Sequence, residues 1–184
     1  MKTGVITGLF FCALLLTGLN ASAAEGEKVS PFEGVMLTDL DGGKVAIDSL
    51  LDRGPLVINF WATWCSPCRT EMPHLEKIYR EFAPKGVQFA AVSVDRQVHI
   101  AGVRAFLEKQ GMTVPAYIDA DTRLAKGFNV RAIPTTIIIL ADGSLYHRNK
   151  GYRPGDEIIL RKHLQSLVES EAAGEAGPAP AGGD

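Results

Sequence analysis

Apolar positions along this chain follow two patterns, nearly unbroken runs and helically spaced sets. Runs occur at 56–60 (Leu56-Val57-Ile58-Asn59-Phe60), 87–94 and 135–140, each the length of a strand buried on both faces. The last, Thr135-Thr136-Ile137-Ile138-Ile139-Leu140, is the most β-prone stretch of the chain. Gly54-Pro55 marks the boundary before the first run. Helical spacing predicts helices at 69–82, at 100–110 with Ile100, Val103, Phe106 and Leu107 inward, and at 156–168 with Ile158, Ile159, Leu164, Leu167 and Val168 inward. Gly86 and Gly111 are the stop signals of the first two. Shorter signals fill the gaps: 35–40 and 44–47 flank Asp41-Gly42-Gly43 as a hairpin, and 48–51 reads as a helical turn. A strand at 114–118 and a short helix at 122–128 follow, and Asp142-Gly143 turns the run at 135–140 back into a strand at 144–149. Alternating strands and helices around such runs predict an α/β domain with helices on both faces of a central sheet.

The two ends break the pattern. Residues 4–19 are apolar and uncharged after Lys2, and Ala21-Ser22-Ala23 follows as a small-residue cleavage signal, so 1–24 reads as an export signal peptide. The apolar stretch is shorter than the roughly 20 residues of a comfortable span; an uncleaved anchor is the alternative. Residues 25–30 form a polar linker, 31–170 the domain, and 171–184, rich in Ala, Gly and Pro, a disordered tail. The length of 184 residues suits one domain plus tails. A net charge of −2 supplies no basic field for nucleic acid.

Cysteine placement changes the picture most. Of Cys12, Cys65 and Cys68, the first lies within the export signal, which leaves the mature chain one Cys-x-x-Cys pair. That pair stands between a predicted strand and a predicted helix. A cysteine at a helix start faces unpaired backbone N–H groups and the positive end of the helix dipole, which favour the thiolate. Cys65 is therefore the candidate nucleophile and Cys68 the resolving thiol. A structural disulfide or half of a zinc site is the other use of such a pair. Trp64, beside Cys65, is a candidate substrate platform, and Trp61 a core residue. His74, His99, His147 and His163 show no ligand spacing and read as surface residues; no metal site or cofactor is predicted.

The block Phe60-Trp61-Ala62-Thr63-Trp64-Cys65-Ser66-Pro67-Cys68, Pro73 five residues on, Ile133-Pro134-Thr135-Thr136 and Gly151 occur in an order and spacing that resembles the thioredoxin superfamily. Within it, the likeness is to the TlpA/ResA/DsbE-type exported thiol-disulfide oxidoreductases, over residues 31–169. The resemblance implies a thioredoxin-like fold: a mixed central sheet flanked by helices, with an N-terminal β-hairpin and an extra strand–helix insertion. It implies a helix kinked at Pro73, and a cis Ile133–Pro134 bond facing the cysteines, with the Ile133 backbone pairing with an extended substrate segment. Gly151 then lets a substrate backbone approach closely, or is a plain turn glycine. Many thioredoxins carry a buried aspartate where this chain has Asn59. Sequences of the resembled branch pair such an asparagine with an acid at the position of Glu71, three residues after Cys68. Glu71 is thus the candidate base for Cys68, or else an exposed helix-start glutamate.

The function implied is a protein-disulfide reductase of the periplasm or cell envelope. Its substrates would be disulfides of apocytochromes c or copper-site proteins, and its electron donor a membrane thiol transporter of DsbD/CcdA type. The rivals are a general exported disulfide oxidase or isomerase, and a copper chaperone using Cys65 and Cys68 with His147 or His74.

Overall fold

The computed structural model describes residues 34–174. The predicted export signal, the linker at 25–30 and the tail from 175 onward lie outside them, as does Cys12.

The fold grows from β3 (Leu56–Trp61), the run that precedes the cysteines. All of its residues are buried, because side chains alternate between two covered faces. Leu56, Ile58 and Phe60 join one core, while Val57 and Trp61 join the other. By the same alternation Asn59 shares the face of Val57 and Trp61. β3 pairs in parallel with β4 (Gln88–Ser93), which requires a crossover, and α2 (Ser66–Phe82) supplies it. On its other side β3 pairs antiparallel with β6 (Thr135–Ile139), which turns through Asp142-Gly143 into β7 (Leu145–Lys150).

The N-terminal hairpin is β1 (Met36–Asp39) and β2 (Lys44–Ala46), followed by the helical turn α1 (Asp48–Leu51). Asp39 shapes its turn, Oδ1 accepting the backbone N–H groups of Asp41 at 2.9 Å and Gly43 at 2.7 Å. After α3 (Ile100–Lys109) the chain adds β5 (Ala116–Ile118) and α4 (Arg123–Gly127), the expected insertion. β5 runs parallel to β4 and antiparallel to β1, so the insertion joins the hairpin to the central sheet. The sheet order is β2-β1-β5-β4-β3-β6-β7, parallel in the middle and antiparallel at both ends. Among the described residues no helix is long and apolar enough to cross a membrane.

Two expectations are corrected. The closing helix α5 runs Asp156–Ala172, past the helix end predicted at 168, and its inner stripe is Leu160, Leu164 and Leu167. Ile158 and Ile159 are half exposed. At 100° per residue Ile158 points almost opposite Leu160 and Ile159 stands on its flank, so only the i, i+4, i+7 set can face α2. The histidines also differ from the expectation: only His99 is exposed. His147 and His163 are half-buried with rings stacked at 4.1 Å, and burial lowers the pKa of both.

The crossover helix is tied down by a buried carboxylate. Glu76 accepts four hydrogen bonds: from Arg80 Nε at 2.6 Å, Thr113 N at 2.9 Å, Thr113 Oγ1 at 2.8 Å and Val114 N at 2.9 Å. Burial alone would raise its pKa, but these donors, led by Arg80, hold it below 4.5. Removing the carboxylate strands two N–H groups at the entrance to β5. Glu76→Ala should cost about 2–4 kcal/mol in chemical denaturation at neutral pH. Because the folded pKa is depressed, the stabilisation is present above pH 4.5 and lost as pH falls through the folded value. The gap between the two proteins should therefore narrow in acid.

Candidate active site

The helix α2 begins at Ser66, with Cys65 itself as the capping residue. Cys65 has extended backbone angles, φ −84° and ψ 108°, and its Sγ accepts the N–H of Cys68 at 3.3 Å. This is the bond that a capping serine or aspartate makes, carried out by sulfur. Pro67 falls in the first turn, where its missing N–H leaves nothing unsatisfied. The two sulfurs are joined at 2.02 Å, so the structure is the oxidised form. Cys68 is fully buried, whereas Cys65 keeps a small exposed area.

The turn that presents Cys65 is held by Asp95, just beyond β4. Its Oδ2 accepts the Thr63 N–H at 2.9 Å, its Oδ1 accepts the Thr63 hydroxyl at 3.0 Å, and Ser93 Oγ donates to it at 2.8 Å. The Trp61 ring packs on Phe106 at 5.3 Å between centroids, wholly buried as expected. Trp64 instead stands 70% exposed beside Cys65. It shares an open cavity of about 350 Å³ with Ile133, Val94, Ala125 and Val130, so α4 and the segment before β6 form the wall opposite Trp64. The Ile133–Pro134 bond is cis, as the resemblance implies, and Ile133 packs against the core cluster that contains both cysteines. Gly151 N donates to Pro134 O at 2.7 Å, which pins the end of β7 to this loop. Gly151 has φ +81°, so backbone conformation alone calls for glycine there; a Cβ would meet no protein atom.

Glu71 lies one turn after Cys68, on the buried side of α2. The exposed helix-start alternative does not hold, since Glu71 is only 6% exposed. Its Oε2 accepts from Asn59 Nδ2 at 2.9 Å and its Oε1 from Thr136 Oγ1 at 2.9 Å; Asn59 Nδ2 also donates to Thr136 Oγ1 at 2.8 Å. Asn59 and Thr136 are directly paired across β3 and β6, on the face that α2 covers. Burial pushes the Glu71 pKa up to about 7 against these two hydrogen bonds, with a further rise from Asp156. Thr136, read from sequence as a plain strand residue, is thus part of the site. No local signal marked it, since its partner Glu71 stands 65 positions away.

Glu71 also lines a cavity of about 100 Å³ between α2, β7 and α5, with His74, His147, Tyr152, Asp156 and Glu157 among its walls. Half-exposed Ile159 stands at its rim. Asp156 is held there by Asn149 Nδ2 at 3.1 Å and Arg153 N at 2.9 Å. Tyr152 donates to Glu157 at 3.0 Å, and burial, then that bond, push its pKa up to about 12. His74 and His147 belong to this cavity. Among the described residues no three His, Cys, Asp or Glu side chains converge as a metal-ligand set.

Comparison with known proteins agrees with this geometry. Residues 26–148 match the AhpC/TSA family. The thiol-disulfide oxidoreductase ResA of Bacillus subtilis (strain 168) is 31% identical over 177 residues, spanning 95% of this chain and 96% of that one. Among solved structures, a thioredoxin-like protein from Porphyromonas gingivalis superposes with a TM-score of 0.65 at 26% identity, over 77% of this chain and 94% of that one. A secreted Mycobacterium tuberculosis disulfide oxidoreductase homologous to E. coli DsbE gives 0.61 at 24%, over 72% and 96%, a likeness of fold. The fold is thioredoxin-like.

The raised pKa of Glu71 has a consequence for stability. Between pH 4.5 and about 7 the folded chain keeps a proton that the unfolded chain has released. This contribution is complete below pH 4.5 and lost as pH rises to about 7. Across that window the wild type should lose up to about 3 kcal/mol relative to Glu71→Gln. Denaturant midpoints of the two oxidised proteins at pH 4, 6 and 8 check this; a constant difference would mean that Glu71 titrates normally.

Proposed function

We propose that this chain, which belongs to the AhpC/TSA family, reduces disulfides of other proteins in the periplasm or cell envelope. It is a thiol-disulfide oxidoreductase whose redox centre is the Cys65–Cys68 pair. The observation that carries the finer reading is the inequality of the two cysteines at one helix start. Cys65 caps the helix and keeps some exposure, while Cys68 is buried one turn from a carboxylate.

In this reading the reduced Cys65 thiolate is stabilised by the N–H groups of the first turn of α2. It attacks one sulfur of a substrate disulfide. That S–S bond breaks, the other sulfur leaves as a thiolate, and Cys65 is joined to the substrate. Cys68 then gives its proton to Glu71 and attacks Cys65 Sγ. The second substrate sulfur leaves, and the Cys65–Cys68 disulfide forms. The substrate has gained two electrons, which a dithiol donor must return before the next cycle. A carboxylate with a pKa of about 7 is matched to that transfer, being able both to accept a proton near neutral pH and to release it. Trp64, Ile133, Pro134 and Gly151 border the place where the substrate segment would lie.

Export, suggested by residues 1–24, puts the chemistry in a compartment where disulfides form. The resemblance to the TlpA/ResA/DsbE branch favours apocytochrome c or copper-site cysteines as substrates and a DsbD/CcdA-type membrane thiol transporter as donor.

Cys68→Ser should accumulate mixed disulfides with substrate proteins, and Cys65→Ser should not; the reverse pattern would exchange the two roles. Equilibration with glutathione or dithiothreitol should give a potential toward the about −270 mV end of the range for this chemistry, and a value near −120 mV would make the protein an oxidant. Glu71→Gln should slow resolution of the mixed disulfide in stopped-flow exchange and move the thiol titration to lower pH, since a nearby negative charge is removed. If neither quantity moves, the Cys68 proton leaves by another route.

A further inference from the structure

β7 is one of the two edge strands of the sheet, and its two faces differ. His147 and Asn149 face the Glu71 cavity, whereas Arg148 and Lys150 line a separate hollow of about 210 Å³ on the opposite face. Arg131 enters the same hollow from the segment before β6, and Asn129 and Thr135 complete its polar lining. Three cations therefore meet around one cavity, and among the described residues no carboxylate lines it. Arg131 is hydrogen-bonded to the neutral Asn129 Oδ1 at 2.9 Å. Arg148 Nε is buried and has no hydrogen-bond partner among the described residues. A desolvated guanidinium nitrogen without an acceptor is costly, and an anion is the partner that satisfies it best. The chain as a whole has a net charge of −2, so this concentration is local.

Its position says what kind of anion it meets. Lys150 pairs in register with Thr135, the residue after cis-Pro134, and residues 130–132 form a wall shared with the cavity beneath Trp64. A polypeptide extended along Ile133 would have the apolar cavity on one side of that wall and the cationic one on the other. We propose that Arg131, Arg148 and Lys150 form a subsite for an acidic side chain of the polypeptide substrate, lying a few residues from the cysteine under attack. This rests on the reductase reading above and adds a sequence preference to it. Cations on an edge strand also discourage strand-to-strand association, but that purpose is served by exposed charge and leaves a buried Nε unexplained.

The test uses disulfide peptides in which one glutamate is moved residue by residue along either side of the cysteine, each matched by a glutamine peptide. At one register the wild type should show a kcat/KM ratio, glutamate over glutamine, of about three to ten. Arg148→Gln combined with Lys150→Gln should bring that ratio to one, while Lys77→Gln combined with Lys109→Gln, which removes the same charge elsewhere on the surface, should leave it. The preference should shrink in high salt. The same ratio, read as Kd for peptides with serine in place of cysteine, reports the subsite without exchange chemistry. A ratio of one at every register, with turnover intact, overturns the subsite and leaves the reductase reading standing. A Kd preference with no turnover keeps the subsite and removes the reductase reading.

Discussion

A carboxylate is buried here beside a disulfide, and much of the site follows from the need to accommodate it. Burial opposes ionisation of Glu71, and two hydrogen bonds, from Asn59 and Thr136, only partly offset that cost. The balance leaves a group that is neither a fixed charge nor a permanent acid. Its partners come from neighbouring strands, paired across β3 and β6, and the group itself from the helix above them. Sheet register, helix phase and proton affinity are therefore one constraint: slipping either strand by one residue would turn Asn59 or Thr136 toward the opposite core.

The cysteines depend on a second arrangement of the same type. The capping position gives Cys65 its environment, but a cap works only if the chain enters the helix at a set angle. Asp95 fixes that entry by holding both the backbone and the hydroxyl of Thr63. Cys65 is thus oriented from the end of β4, and Cys68 lies on the buried side of α2, above the sheet. The cis-proline loop is in turn tied to β7 through the Gly151–Pro134 hydrogen bond. Elements distant in sequence therefore converge on one small opening.

The fold was largely legible from sequence because β3, β4 and β6 are covered on both faces and announce themselves as apolar runs. The insertion at 114–128 and both hairpins were bounded to within about two residues by turn signals, the usual scatter of such boundaries. The cysteines, Glu71 and Ile133-Pro134 were legible from motif and spacing. Asp95, Asp156 and Thr136 were not, since each acts through a partner far away in the chain, and no local pattern separates a carboxylate that organises a turn from one on the surface. The inner face of α5 was misjudged because six apolar residues in that helix exceed what one stripe can hold, and phase decides which of them pack. His147 and His163 come together only because an edge strand and the last helix meet, which composition cannot show.

The clamp on Thr63 bears on how far the redox motif is portable. Trp-Cys-Ser-Pro-Cys looks like a self-contained cassette, yet the residue that sets its approach belongs to a different strand, 32 positions away. Transplanting the motif onto another strand–helix junction would carry over the sulfurs and leave their alignment behind. A graft that keeps the aspartate at the end of the adjacent parallel strand carries both. The smallest unit that carries the alignment of the cysteines is accordingly the whole β3–α2–β4 crossover with its trailing loop.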